Sequence, residues 1–375
     1  MRRAPEFAVH SVTRGGLAVA ARLGPALGAE LYVPERLRAH APAGAVTFGS
    51  RMGASLAASF SRHRGHVFVM AVGAVVRLIA PLLESKWKDP AVVCVDEAGR
   101  FAVALLSGHL GGANALAERV AAILGAQPVV TTASDVLETL SVDLLGRELG
   151  WTLEGPRANA TRASAAVVNG EPVLLVQDCG ERDFWPEDRP WPPHVTRAEA
   201  LGSPDPAHFE ALLLVTDRLP EESERQWFER AVLYRPRSLI LGLGCDRGTP
   251  PDLVTRGVEA LLARNRLALA SVREVATIDL KADEPALRAI AERLGCPLRL
   301  FGAGELDVAP GVESFSETVR RHVGTRAVAE PAALLAAGAR RLLVPKQIYT
   351  EPGAGRSMTL AVARVPLEAG GKAHV

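Results

Sequence analysis

The hydrophobic positions in the first third of the chain follow an alternating rhythm of strands and helices. Val67–Val72 is a continuous apolar run, as in a strand that is buried on both faces. Leu17–Leu27 carries apolar residues at helical spacing, and Gly28 ends that pattern. Ala91–Val95 and Phe101–Leu106 are separated by one short polar turn, which predicts a hairpin. This alternation predicts a mostly parallel sheet that is covered by helices on both faces.

The same rhythm returns after residue 237. A strand is predicted at Ser238–Gly242, and the helix that follows is predicted to use Thr249 as its N-cap and Pro250 as its first residue. Further helices are predicted at Glu284–Leu294, Ser316–His322 and Pro331–Ala337. The region therefore predicts a second α/β domain.

Residues 151–236 show weaker periodicity and include a stretch rich in proline and tryptophan from Phe184 to Pro193. Two strands stand out there, Val173–Val176 and Leu212–Thr216. These features favour a smaller middle domain or a long connector with loops. The predicted fold class is α/β, with two three-layer domains of mostly parallel sheet at residues 1–138 and 237–375, joined by a smaller middle domain at 139–236.

Composition narrows the class of protein. The 375 residues carry a net charge of +1, so we expect neither a nucleic-acid nor a membrane partner. No uncharged stretch approaches the ~20 residues that a membrane span needs, and no signal-like apolar segment follows the first residues. The cysteines lack the spacing of a metal site or a disulfide framework, which predicts a reducing, cytoplasmic location. They are Cys94, Cys179, Cys245 and Cys296.

The first segment that suggests chemistry joins a predicted strand to a predicted helix at Ser107–Asn114. Gly108, Gly111 and Gly112 allow a ligand to approach the backbone, and the ends of parallel strands are where open α/β sheets bind ligands. His109 is the candidate general acid or base, because an imidazole can exchange a proton near neutral pH. The alternative is a histidine that caps a glycine turn and contacts no ligand.

Polar residues also follow the next predicted strand, at Thr131–Asp135. If the two strands are parallel, these hydroxyl groups and the Asp135 carboxylate fall on the same sheet edge as His109. The alternative is a polar turn that caps the next helix.

A second glycine-rich junction runs from Gly242 to Thr249. Backbone N–H groups at such a turn, together with the helix dipole, can hold an anion. The junction lacks the Lys-Ser/Thr pair of a Walker loop and a complete dinucleotide fingerprint, and a tight turn without a ligand is the alternative. No histidine lies near Cys245 in the sequence, which favours a small buried thiol over a nucleophile.

Two lysines lie at predicted strand ends. Lys281 falls within Asp279–Glu284, whose acidic residues suit the start of a helix, and Lys346 follows a strand candidate and Pro345. Either ammonium group can pair with a substrate carboxylate. Chance placement on a solvated surface is the alternative.

Together, these segments resemble the CbiG family of cobalt-precorrin-5A hydrolases. Towards the amino terminus the resemblance rests on Val67–Leu82, the stretch from Asp89 to Asp96, and Leu106–Ala117 with its SGHLGGAN core. After residue 237 the chain resembles a CobE-like domain in its Gly-Cys-x-Arg-Gly loop, Asp279–Glu284, Val328–Ala333 and Val344–Lys346. Asp246 departs from the pattern, which has a basic residue before Arg247; we interpret the acid as a partner of Arg247.

The resemblance implies a hydrolytic reaction that opens the δ-lactone of cobalt-precorrin-5A and releases acetaldehyde to give cobalt-precorrin-5B. Attack on a lactone needs a base for water and donors for the developing oxyanion. The resemblance implies no cofactor and no protein metal, because the cobalt arrives with the substrate. The implied partner is a cobalt-corrinoid small molecule, and contacts with other enzymes of the corrin pathway stay open.

The candidate site residues follow from this resemblance and from the loops above. His109, Ser107 and Asp135 are the candidate catalytic residues. The candidate substrate-binding residues are Arg77, Gly108, Gly111, Gly112, Asn114, Gly244, Arg247, Gly248, Lys281, Glu330 and Lys346.

Two other functions stay open at this point. The chain could be a tetrapyrrole-binding carrier without chemistry of its own, although the His109 loop argues against that. A nucleotide-binding α/β protein is the third hypothesis, and the missing Walker lysine argues against it. Release of acetaldehyde from cobalt-precorrin-5A separates the first function from both.

Overall fold

The computed structural model describes residues 5–49, 51–85, 87–109, 111–186, 188–312, 320, 324–353 and 355–366, with the side chains of residues 135 and 136 left out. The chain separates into two compact units, residues 1–144 and 145–375. Within the described ranges, the first unit holds one β-sheet and the second holds two. A search of those ranges finds no helix long and apolar enough to cross a membrane.

The first unit is built on a seven-stranded sheet with the order β3-β2-β1-β4-β5-β6-β7. Its strands are β1 (Phe7–Ser11), β2 (Glu30–Pro34), β3 (Val46–Phe48), β4 (Gly65–Val69), β5 (Ala91–Val95), β6 (Phe101–Leu106) and β7 (Gln127–Val129). Strands β1 to β5 are parallel, and β6 pairs with β5 in the antiparallel direction, as the predicted hairpin requires. Because β7 is parallel to β6, the last two strands point opposite to the other five.

Helices cover both faces of this sheet. They are α1 (Arg14–Leu27), α2 (Met52–Ser59), α3 (Val72–Ile79), α4 (Ala113–Leu124) and the short α5 (Ala133–Val136). Neighbouring residues of a strand point to opposite faces, so Val67 in β4 packs with α1 and α4 while Phe68 packs with α2 and α3. The predicted three-layer arrangement is therefore confirmed for this unit.

The middle region forms a sheet of its own rather than a connector. Its strands are β8 (Thr152–Glu154), β9 (Val173–Gln177), β10 (Val195–Ala198), β11 (Ala211–Val215) and β12 (Val232–Arg235), in the order β10-β9-β11-β12-β8. Only β8 is antiparallel to its neighbour. Helices α6 (Arg157–Asn169) and α7 (Arg225–Arg230) pack against it. The sequence predicted the buried strands β9 and β11; the edge strands β8 and β10 are short and partly exposed, and therefore carry little hydrophobic pattern.

The third sheet has the order β15-β14-β13-β17-β16. Its strands are β13 (Leu239–Cys245), β14 (Val272–Ile278), β15 (Leu298–Phe301), β16 (Val344–Thr350) and β17 (Ser357–Arg364). Strands β13 to β15 are parallel, and β17 is antiparallel to both of its neighbours. Helices α8 (Pro251–Arg264) and α9 (Pro285–Leu294) pack on one face, and α10 (Ala303–Asp307) and α11 (Ala329–Ala337) pack on the other.

Some predicted element ends are wrong. Strand β6 ends at Leu106 as predicted, but β13 continues past Gly242 to Cys245. Gly242 lies inside the strand because it pairs with both neighbouring strands. Helix α11 crosses this position closely, and a Cβ there would collide with the carbonyl oxygen of Ala329. This glycine therefore serves helix–sheet packing and not a ligand loop.

The start of the following helix also differs from the prediction. Pro250 is the N-cap and Pro251 is the first residue of α8. The Thr249 hydroxyl donates to the Asp246 carbonyl oxygen at 2.7 Å, so it closes the preceding turn instead of capping the helix. The predicted helix Ser316–His322 lies outside the described residues, apart from residue 320.

The middle and third sheets are joined inside the second unit by a buried ion pair. The Asp217 carboxylate, which is fully buried, accepts two hydrogen bonds from the guanidinium of Arg364 at 2.6 and 2.7 Å. The Ser238 hydroxyl donates to the same carboxylate at 2.7 Å. Asp217 follows β11 and Arg364 ends β17, so this cluster connects one sheet to the other.

Candidate active site and ligand-binding loops

The loop that carries His109 connects β6 to α4 in the first unit. Because β6 is antiparallel to β5, this loop lies at the edge where β5 begins, and not at the edge where β1, β4 and β5 end. It shares its edge with the turn that follows β7, since β6 and β7 are parallel. The predicted juxtaposition of these two segments is confirmed.

The loop folds tightly onto the start of α4. The backbone N–H groups of Ala113 and Asn114 donate to the carbonyl oxygens of Ser107 and Gly108, both at 3.1 Å. Gly111 lies so close to Ser107 that a Cβ on Gly111 would overlap the serine side chain and crowd its carbonyl oxygen. Two of the helix N-terminal donors are therefore used within the loop, which reduces its capacity to hold an anion.

Two side-chain hydrogen bonds connect the loop to the neighbouring turn. His109 Nε2 and Ser134 Oγ lie 3.0 Å apart, and the Ser134 side chain is 7% exposed. The Asn114 amide donates to Thr132 Oγ1 at 2.9 Å. The first bond holds the imidazole ring against the neighbouring turn, and the second holds the two segments together. The pair of a hydroxyl group and an imidazole is an arrangement that can move protons at a bound substrate.

Three other predicted residues of the first unit have different surroundings. The Ser107 hydroxyl donates to the Asp89 carbonyl oxygen at 3.0 Å, so its hydrogen is already used. The side chain of Asp135 lies outside the described residues. Arg77 is exposed on α3 and donates to the Gly73 carbonyl oxygen of its own helix at 2.9 Å. That helix begins where β4 ends, at the edge opposite to the His109 loop.

A second candidate site lies at the ends of β13 and β14 in the second unit. Since these strands are parallel neighbours, the loop with Arg247 and Gly248 meets the turn with Lys281. Glu284, which is 2% exposed, connects them: its carboxylate accepts from the Gly248 N–H at 3.0 Å and lies 3.4 Å from the Lys281 ammonium. The structure thus brings Gly248 and Lys281 together through a residue that the sequence had assigned only to a helix start.

The interpretation of Asp246 as the partner of Arg247 is wrong. Asp246 accepts hydrogen bonds from the Ser357 N–H and hydroxyl at 2.8 and 3.1 Å, because β17 begins next to the end of β13. Arg247 instead extends over the neighbouring turn, where it donates to the Leu280 carbonyl oxygen and lies 3.6 Å from the Asp283 carboxylate. Its guanidinium is well exposed, which leaves it accessible to an anion.

The remaining predicted residues of this unit have strand or core positions. Gly244 lies within β13, and a Cβ there would crowd the Thr359 hydroxyl. Glu330 in α11 is fully buried and accepts from the Lys346 N–H at 2.9 Å, which attaches the start of β16 to the helix. Burial of Glu330 argues against direct contact with a ligand. Lys346 is partly exposed within β16.

Neither cysteine that lies near a candidate group is arranged as a nucleophile. Cys245 is partly buried and not fully buried as the sequence favoured, and this partial burial raises the pKa of its thiol, which disfavours the thiolate that a nucleophile needs. Among the described residues, Asp178, Cys179 and Asp217 are close enough to share a cation. Arg218 and Arg364 already neutralise these carboxylates, and burial raises the pKa of the Cys179 thiol above its usual range. The cluster is therefore an ion-pair network.

The sequence did not single out Ser134 or Glu284 as members of a site. Ser134 was one hydroxyl among several in a polar turn, and Glu284 was one of three acidic residues near a helix start. Only the pairing of β6 with β7 and of β13 with β14 selects them, because strand neighbours decide which loops meet.

The fold and these loops define a multidomain α/β protein with two loop clusters that suit a small polar ligand. Three family models match the chain in order: Cobalamin synthesis G N-terminal at residues 54–135, Cobalamin biosynthesis central region at 140–236, and Cobalamin synthesis G C-terminus at 239–363.

Individual relatives agree with these matches. A cobalt-precorrin-5A hydrolase from Priestia megaterium is 35% identical over 97% of this chain and 96% of its own length. A cobalt-precorrin-5A hydrolase from Salmonella typhimurium is 32% identical over 88% of this chain and 91% of its own. Protein CobE from Sinorhizobium sp is 38% identical over 30% of this chain and 73% of its own. The chain belongs to the cobalamin synthesis G (CbiG) family.

Proposed function

We propose that this chain is a cobalt-precorrin-5A hydrolase, which opens the δ-lactone of cobalt-precorrin-5A and releases acetaldehyde to give cobalt-precorrin-5B. The observation that carries the proposal is the match, over nearly the whole of both chains, to a relative with that activity in its name. The three family models, which follow one another along the chain, support it.

The reaction has two chemical demands. Water adds to the lactone carbonyl, and the carbon–oxygen bond breaks to leave a carboxylate and a hydroxyl group. A base then takes the hydroxyl proton, the adjacent carbon–carbon bond breaks, and the two-carbon unit leaves as acetaldehyde while the macrocycle accepts the electron pair and later a proton. Both steps need one group that can accept and return a proton near neutral pH. The cobalt is part of the substrate, and we propose no further cofactor.

We assign this proton transfer to His109, with Ser134 as a positioning residue. The 3.0 Å contact to Ser134 fixes the ring, and Asn114 and Thr132 hold the two supporting segments together. Ser107 supports the loop through its bond to the Asp89 carbonyl oxygen. Asp135, which follows Ser134 directly in the sequence, is the second candidate base.

Carboxylate recognition is assigned to exposed cations and loop N–H groups. In the second unit we assign it to Arg247, whose guanidinium is well exposed beside the Asp283 carboxylate, and to Lys281, which shares its ammonium group with the buried Glu284. Arg77, which lies at the sheet edge opposite to the His109 loop, is left out of this assignment. Charge-assisted hydrogen bonds from such groups suit the acetate and propionate arms of a corrinoid. The cytoplasm, where free cysteines stay reduced, is the proposed location.

The test is to incubate the purified full chain with cobalt-precorrin-5A and to measure acetaldehyde with an alcohol dehydrogenase coupled to NADH oxidation. The hydrolase releases one acetaldehyde for each macrocycle consumed, and the product gains a free carboxylate. A carrier protein would bind the corrinoid without acetaldehyde release. That result, obtained with folded protein that binds the substrate, would refute the proposed function.

A further inference from the structure

The middle sheet carries a pocket of about 170 Å³ beside its edge strand β10. Among its lining residues are Leu175, Gln177, Arg182, Phe184, Arg197 and Glu199. We call it the arginine pocket. Cavities that enclose a whole small-molecule ligand usually measure roughly 300–1,000 Å³, so this one fits one arm of a larger ligand.

Aromatic rings hold the guanidinium of Arg197 at this pocket. The guanidinium carbon lies 3.5 Å from the centroid of the Trp191 ring and 5.5 Å from that of Phe184. Trp191 is itself fixed, because its indole N–H donates to the Val195 carbonyl oxygen at 2.6 Å. Its ring also contacts Trp185. The cation is therefore presented by a rigid surface, so little side-chain entropy is lost when it binds an anion.

The charges around the pocket leave Arg197 without an acidic partner. Glu199, which follows β10 directly, forms an exposed ion pair with the guanidinium of Arg182 at 3.2 Å. Among the residues that the structure describes, no carboxylate lies within salt-bridge distance of Arg197. Removal of water from its guanidinium lowers the pKa of Arg197, as expected of a cation with no nearby acid. A bound carboxylate would supply the missing counter-charge.

We propose that the arginine pocket binds one carboxylate arm of the corrinoid substrate, with Arg197, held against the Trp191 ring, as the charged partner and Phe184 as a flat contact for the edge of the macrocycle. The choice of a corrinoid rests on the proposed function. The choice of a carboxylate arm rests on the pocket itself, which combines the apolar side chain of Leu175, an aromatic ring and one guanidinium that is held in place. A guanidinium on an aromatic face suits a planar carboxylate through two parallel hydrogen bonds.

Equilibrium dialysis with cobyrinic acid, a stable cobalt corrinoid with free carboxylates, tests this site. We expect Arg197→Gln to weaken its binding roughly tenfold or more, because a charge-assisted hydrogen bond is lost. Arg197→Lys should lose less, since the charge stays. Arg189→Gln, a change at an exposed arginine outside the pocket, should bind like the wild type. Cobinamide, whose arms are amides, should bind Arg197→Gln and wild type equally.

Two results would overturn the inference. One is equal affinity of cobyrinic acid for Arg197→Gln and for the wild type. The other is an equal loss for cobyrinic acid and cobinamide, which would indicate damage to the fold and not loss of a charge pair. Acetaldehyde assays with cobalt-precorrin-5A test the role of the arginine pocket separately from the proposed function. A raised KM with little change in kcat in Arg197→Gln supports a substrate-binding role. Absence of turnover in the wild type refutes the activity, and the dialysis result then decides alone whether the pocket binds a corrinoid carboxylate.

Discussion

The Ser134 hydroxyl can form its hydrogen bond with the His109 imidazole in two ways, as donor or as acceptor. The direction of this bond determines which ring nitrogen carries the hydrogen. If the hydroxyl donates to Nε2, the ring hydrogen is on Nδ1; if Nε2–H donates to the hydroxyl oxygen, Nδ1 carries the lone pair. The two states are different tautomers of a neutral ring, so their exchange requires one ring nitrogen to gain a proton and the other to lose one while the hydroxyl group turns. Since Ser134 is 7% exposed, it acts on the ring and not on the bulk solvent. The pair therefore suits a reaction in which one group first takes a proton and then returns it.

His109→Ala should lower acetaldehyde release by roughly 100- to 10,000-fold, the usual contribution of a positioned acid or base. Corrinoid binding should change little, because the imidazole acts on the transition state and is not asked to hold carboxylates. Turnover and thermal melting of the same variant test the assignment. Wild-type turnover with a lowered melting temperature would make His109 a structural cap. The search for the base would then move to Asp135 and not to the buried Glu330.

Ser134→Ala should lower kcat roughly tenfold and leave KM nearly unchanged, because one hydrogen bond to the ring is lost. Ser134→Thr keeps the hydroxyl and should restore part of the activity. Thr131→Ala, in an exposed position of the same turn, is the matched control. A change in melting temperature alone, with kcat intact, would contradict a positioning role.

For single elements, the direction of a strand determined the location of the candidate site more than the position of the strand in the sequence did. The pattern of apolar residues located β5 and β6 correctly, and their short connection predicted an antiparallel pair. Because β6 runs opposite to β5, the His109 loop lies at the edge of the sheet where β5 begins. No property of His109 itself indicates this location. The short edge strands β8 and β10 escaped prediction for another reason: half-exposed strands mix polar and apolar residues and lose their period.

Strands β1 and β4 are joined by a buried pair of histidines, which no sequence motif predicted. His66 Nε2 donates to the Phe60 carbonyl oxygen at 3.0 Å, so its Nδ1 must accept from His10 Nε2, also at 3.0 Å. His10 is stacked between the rings of Tyr32 and Phe68. An added proton would be buried and would face another N–H group. Burial accordingly lowers the pKa of His66 to about 4 and that of His10 well below its usual value.

This pair predicts acid sensitivity of the first unit. The histidines gain protons more easily when unfolded, so their contribution to stability is complete above pH of roughly 6.5 and falls as the pH drops towards 4. For His66 alone the loss amounts to about 3 kcal/mol. Three other polar side chains face this cluster: Glu30, Tyr32 and His63. The acid among them, Glu30, contacts His63.

Hydrogen exchange of the β4 amides in the full chain, followed from neutral pH to pH of about 4 and corrected for the intrinsic exchange rate, measures this loss. His66→Gln keeps an amide donor for Phe60 and should show a shallower pH dependence. His40→Gln, at an exposed position of the same unit, should retain the wild-type slope. Equal slopes in all three proteins would show that the pair does not control the acid response.

For the molecule as a whole, the sequence predicted the order of its α/β parts better than the connections between them. The family resemblance seen in the sequence rested on the two ends of the chain, and the middle region was expected to be a connector as readily as a domain. Its attachment to the third sheet depends on Asp217 and Arg364, which are far apart in the sequence. Neither lies in a recognisable motif. Such long-range ion pairs become visible only when the packing of the sheets is known.

Asp217→Asn should therefore destabilise the second unit by about 3–5 kcal/mol, since it leaves Arg364 opposite a neutral amide in a buried setting. Glu259→Gln removes an ion pair to Arg293 on the surface of the same unit and should cost at most about 1 kcal/mol. Denaturant unfolding, with hydrogen exchange of the β12 and β17 amides, compares the two. If the buried pair joins the sheets, the amides of both strands should lose protection together in Asp217→Asn and stay protected in Glu259→Gln. Equal effects of the two changes would mean that hydrophobic packing alone holds the middle and third sheets together.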